Sequence, residues 1–119
     1  MLRVVPSRTV GGGHLRQGFC DNLRPRLARR SGDAAAELAV RQLERGFATS
    51  RQFAKGAPVD FVCHAGGVVV YAGGEKLTEM LGADVGAALM DIYLAPDTKT
   101  PNVRRDVGRG IAHAIEAEL

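Results

Sequence analysis

The chain has 119 residues, 45% of them hydrophobic, and 16 Lys and Arg against 13 Asp and Glu give a net charge of +3. That is the size of a single domain with one modest core, and with aromatics at 5% and no Trp the core has to come mainly from Leu, Val, Ala and Ile. The basic excess is local, in Arg24, Arg26, Arg29 and Arg30. No aromatics are interleaved with it and no zinc-finger, helix-turn-helix or RNA-binding motif follows it, so the composition argues against a nucleic-acid partner.

Met1 to Val10 lacks the apolar stretch of a signal peptide, and no segment approaches the ~20 apolar residues of a membrane span. Arg3 and Arg8, without acidic neighbours, fit the tail of a chloroplast-type transit peptide, but the same segment reads as a strand, so the compartment stays open. Cys20 and Cys63 lie far apart and form no CxxC pair, which points to reduced, buried thiols in an intracellular protein.

Leu2 to Val5 is a short β-prone run that Pro6 ends, and Gly11, Gly12 and Gly13 read as a flexible connector. Leu15, Phe19, Leu23 and Leu27 then recur every four residues and predict a helix, with Pro25 expected to kink it. Ser31, Gly32 and Asp33 break the pattern. Ala36, Ala39, Val40, Leu43 and Phe47 form a second helical stripe, so two amphipathic helices follow one another as a hairpin.

After the segment 54–58 the period changes. Val59, Phe61 and Cys63 alternate with Asp60, Val62 and His64, Ala65, Gly66 and Gly67 turn the chain, and Val68 to Tyr71 continues as a β-branched run. This is a β-hairpin whose apolar composition on both faces calls for cover on each side. Glu75 to Met80 fits either a third strand or a helical turn. Leu81, Val85, Ala88, Leu89 and Ile92 predict a helix ending before Pro96, and Thr100 with Pro101 is expected to open a last helix carrying Val103, Val107, Ile111, Ala114 and Ile115 on one face.

Three stretches resemble one family. Leu15 to Leu27 resembles the first long helix of the fatty-acid-binding branch of the chalcone isomerase family, Phe53 to Phe61 its F-x-x-G entry into a hairpin, and Ala88 to Pro101 its D-x-Y-hydrophobic helix end and Thr-Pro restart. The resemblance implies an α+β fold, an open-faced β-sandwich in which an antiparallel sheet packs against helices. Such domains carry further N-terminal strands, so the chain reads as the C-terminal part of one.

It also implies a function. Catalytic members add a phenolate oxygen to an activated double bond, supported by an arginine on an early strand that has no counterpart here. Their later active-site tyrosine, asparagine and threonine fall on Leu15, Asn22 and Ile92. One polar group of three is not a catalytic constellation, because the chemistry needs donors placed at the oxygen that gains charge. The resemblance therefore favours binding of a small apolar ligand, a fatty acid or a flavonoid-like polyketide, over an intramolecular lyase of the chalcone isomerase type. The third reading is a small interaction module or regulatory partner of a full-length family member, exposing an apolar face where the missing strands would pack and open to self-association through that face.

For single residues the alternatives stay open. Asn22 either orients a ligand or is solvated, and Tyr93 either points its hydroxyl into a cleft or packs with its tip at the surface. Arg16 either pairs a carboxylate head group or is an exposed helix arginine. The expected ligand contacts are thus Asn22, Arg16, Tyr93, Ile92 and Leu15. His14, His64 and His113 have no metal-ligand spacing, and Cys63 and His64 should point to opposite faces of a strand, so neither a metal nor a cofactor is expected. The glycine run lacks the G-x-G-x-x-G pattern of a dinucleotide site.

Overall fold

The computed structural model of the chain describes residues 1–47, 51–94, 102–106 and 111–116, with side chains through residue 92. In chain order the elements are β1 (Leu2–Pro6), β2 (Val10–Gly11), α1 (Gly12–Ser31), α2 (Asp33–Gly46), β3 (Gln52–Phe53), β4 (Val59–His64), β5 (Gly67–Ala72), β6 (Glu75–Leu81), α3 (Val85–Leu94), β7 (Asn102–Asp106) and β8 (Ile111–Glu116). Six strands form one sheet in the order β6-β5-β4-β1-β8-β7, and β2 pairs with β3 in a separate two-stranded ladder. The sheet is antiparallel throughout except where β1 meets β8 in parallel.

The two expected long helices form as their stripes dictate. Leu15, Phe19, Leu23 and Leu27 of α1 and Ala36, Ala39, Val40 and Leu43 of α2 are all buried, as is Phe47 just beyond α2. The glycine run is not a connector. Gly11 belongs to β2, and Gly12 opens α1 while donating its N–H to the Arg51 carbonyl at 2.7 Å. Pro25 sits inside a helix that continues to Ser31, on its exposed side, so water can serve the Asp21 carbonyl that has lost its donor. Gly32, at a φ of +89°, turns the chain directly from α1 into α2.

The hairpin of β4 and β5 turns as read, and β6 adds a third strand, which settles the ambiguous segment 75–80. Leu81, expected on the helix, ends β6 and is exposed. Gly67 lets the sheet close at this corner, because a Cβ there would run into the Met80 carbonyl oxygen. Between Val70 and Tyr71 the register with β6 slips past Leu77. That bulge turns Leu77 and Thr78 toward α2 and keeps Lys76 and Glu79 on the opposite face.

The core lies between the sheet and the three helices. Leu2, Val4, Val59, Phe61, Val68, Val70 and Met80 face inward and are buried against α1, α2 and α3. The four Phe residues form a continuous chain through it. Phe19 meets Phe61 edge-on at 5.2 Å and Phe47 at 5.5 Å, and Phe47 meets Phe53 at 5.5 Å. Few as they are, the aromatics therefore join α1, β4, the end of α2 and β3.

Three further expectations need correction. The last helix does not form: residues 102–106 and 111–116 are strands β7 and β8, while Thr100, Pro101 and Val107 lie outside the described residues. A helix there would place Gly108 and Gly110 in its interior at about 1 kcal/mol each. It would also leave one edge of β1 without backbone partners, which β8 supplies. Second, Cys63 is exposed, not buried. Third, among the described residues the hairpin is covered on one face only, and on the other Val62, Val69 and Tyr71 remain half-buried.

Candidate functional site

An open pocket of about 290 Å³ lies along the outer side of the α1–α2 pair. Arg16, Cys20 and Arg24 stand four residues apart on α1 and so line it as one row, with Gly13, Gln17 and Asp21 beside them. Glu44 reaches in from α2. The row runs next to the apolar stripe of Leu15, Phe19, Leu23 and Leu27, but none of those four lines the pocket, whose surface is mainly polar.

Its electrostatics are balanced: two guanidinium groups face two carboxylates. Arg24 is engaged, its Nε donating to Glu37 Oε1 at 2.8 Å. Arg16 is half-buried at the wall. The Cys20 thiol is pushed up to about 11, first by burial and then by Glu44 and Asp21, with Arg24 and Arg16 opposing. It stays protonated at neutral pH and is a poor nucleophile.

Of the expected ligand contacts with described side chains, Arg16 alone lies in this pocket. Asn22 is on the same helix but half-buried, and its Nδ2 donates to the Gly18 carbonyl at 2.7 Å, while its own carbonyl accepts from Arg26 at 3.1 Å. Leu15 and Ile92 are 2% and 3% exposed and belong to the packed core. Tyr93 lies in α3, and its side chain is outside the described residues. Two surface contacts tie α1 to the α3 region: Arg30 to Asp91 at 2.8 Å, and the Ser31 hydroxyl to Asp84 at 2.5 Å.

Sequence reasoning missed Cys20, Arg24 and Glu44 as neighbours. The row of Arg16, Cys20 and Arg24 was visible as a polar stripe beside the apolar one, but Glu44 joins it only through the packing of α2 on α1. Cys63 and His64 do face opposite sides. Cys63 Sγ lies against Gly86 of α3, and His64 bonds Glu79 at 3.1 Å and the Gly66 N–H at 3.1 Å. Among the described residues no group of three His, Cys, Asp or Glu could hold a metal ion, and no helix is long and apolar enough to cross a membrane.

The sequence profile of the family described as chalcone isomerase like matches residues 1–108. The chain belongs to the chalcone isomerase-like family. Among solved structures, its fold is similar to that of a fatty-acid-binding protein from Arabidopsis thaliana, with a TM-score of 0.63 and 16% sequence identity over 75% of this chain. The match spans 44% of that protein's length. A search of curated proteins found no match. The α+β architecture expected from the three motifs is thus that of the family, with the sheet packed on one side by helices.

Proposed function

We propose that this chalcone isomerase-like domain binds a small apolar carboxylate, a fatty acid or polyketide-like molecule, and does not catalyse ring closure. The observation that carries this reading is Arg16, half-buried in the wall of a pocket on the helix whose next face, Leu15, Phe19, Leu23 and Leu27, is the apolar core. A planar guanidinium there can take a carboxylate in two parallel hydrogen bonds. The fatty-acid-binding character of the Arabidopsis relative supports the same ligand class.

The tail enters the apolar layer to which Leu15 and Ile92 belong, with Tyr93, the next residue of α3, and Asn22, once released from Gly18, as the further expected contacts. That layer is closed, so binding parts the helices before it fills the space between them. Against a lyase stand Leu15 and Ile92, apolar and buried where the catalytic members carry hydroxyl groups, and Asn22, whose amide is given to its own helix.

Purified protein incubated with a mixture of fatty acids and re-isolated should carry bound lipid above a control protein, and Arg16→Gln should lose most of it. Recovery of none would end the reading. In a chalcone absorbance assay the chain should give no turnover above the spontaneous rate; measurable turnover would restore the enzyme.

A further inference from the structure

The helices cover one face of the six-stranded sheet, and among the described residues nothing covers the other. Alternation along the strands sends Val5 of β1, Val62 of β4, Val69 and Tyr71 of β5 and Leu81 of β6 to this open side, where four are half-buried and Leu81 is 53% exposed. They form an apolar band across the strands that no described helix packs upon.

Among the described side chains of this face the charges are matched to one another. Arg3 holds Asp60 through two bonds, at 2.7 and 3.0 Å, and Glu79 sits between Lys76 at 3.5 Å and His64 at 3.1 Å. Two basic and two acidic side chains cancel, although the chain as a whole carries +3. The excess is on α1, in Arg24, Arg26, Arg29 and Arg30. An acidic partner or an anionic membrane would be drawn to α1 and not to the open face. A second copy of the same face meets no net repulsion and brings the same apolar band.

Size decides how strong such a contact is. Six strands about 4.8 Å apart and about five residues of 3.3 Å each give a face of roughly 500 Å², so two copies would bury about 1,000 Å². That is the lower limit for a specific interface and fits a reversible association.

We propose that this open face is where two copies of the chain stack, sheet on sheet about a two-fold axis, as a reversible dimer. The dimer does not depend on the ligand reading. Its mass is therefore measured on delipidated protein, and either proposal can fail without the other.

Sedimentation of the full chain from low micromolar to sub-millimolar concentration should show the average mass rising toward twice that of the monomer. Val69→Lys, with circular dichroism confirming the fold, should stay monomeric across the range. Should Val69→Lys not fold, Leu81→Glu serves at the exposed end of β6, with association weakened at least tenfold. A wild-type chain that stays monomeric throughout, or a dimer that survives in the folded variant, overturns the proposal.

Discussion

Gln42 accepts the backbone N–H of Leu81 through its side-chain oxygen at 2.8 Å, while its own backbone carbonyl accepts the Thr78 hydroxyl at 2.6 Å. One residue of α2 thus occupies the outer edge of β6, which would otherwise present free donors to another strand. Gln42→Ala removes one of the two bonds and should cost about 1–2 kcal/mol. The measurement is urea unfolding, paired with light scattering at high protein concentration, where the freed edge should raise aggregation above wild type.

Gly46 lies where α2 presses closest to β6, and a Cβ there would sit 2.7 Å from Thr78 Cγ2. In an exposed helix interior Gly→Ala ordinarily stabilises by about 1 kcal/mol. Here the sign reverses, and Gly46→Ala should destabilise by about 1–3 kcal/mol through overpacking. Thr78→Ser deletes the clashing methyl and keeps the hydroxyl, so the double variant should recover part of the loss. Strict additivity in a double-mutant cycle would show that the contact is not the cause.

The two thiols differ in access. At pH 8 a disulfide-exchange reagent should modify the exposed Cys63 readily and leave the buried Cys20 unreacted until the chain is denatured. Burial raises the Cys20 thiol from 9.0 to about 11, so the folded state holds this proton more tightly than the unfolded chain. Its contribution to stability is complete below pH 9 and is lost as the pH rises toward 11. Cys20→Ala should flatten the fall of the unfolding midpoint over that window.

Pro25 interrupts the hydrogen-bond ladder of α1 on its exposed side. Pro25→Ala restores the donor to the Asp21 carbonyl, a gain of about 3 kcal/mol in helix terms, less about 1 kcal/mol for the looser unfolded chain. A net stabilisation of about 2 kcal/mol should appear as a higher midpoint in thermal unfolding. An unchanged or lower midpoint would mean that the ring's packing outweighs the missing bond.

What could be read from the sequence was what local spacing encodes. The stripes of α1 and α2 and the alternation of Val59 and Phe61 name their own buried faces, because each element's period is set by its own backbone. Residues 102–116 defeated the same reading. Val103, Val107, Ile111 and Ala114 fit a helical period by spacing, but the partner that makes Ile111–Glu116 a strand is Leu2–Pro6, at the other end of the sequence. The candidate site divides in the same way. Arg16 stood out beside its stripe, whereas Glu44 reaches the pocket only because α2 lies against α1. Cys63 was misjudged because alternation tells which way a side chain points and not where the helical layer stops.

The strand β1 precedes β2 to β8 in the chain and ends up flanked by β4 and β8. Its nearest pairing in sequence, Val4 with Val59, spans 55 positions, and Leu2 with Ala112 spans 110. Neither contact can be gained cheaply by an unfolded chain, since loop closure must come before the pairing that rewards it. The helical hairpin and the β4–β5–β6 meander can each form from neighbouring residues, and β1 then has to be threaded into place by both its partners. During synthesis this leaves a finished half-sheet with a bare β4 edge waiting for a strand already out of the ribosome, a window in which chaperone contact or mispairing between chains is decided.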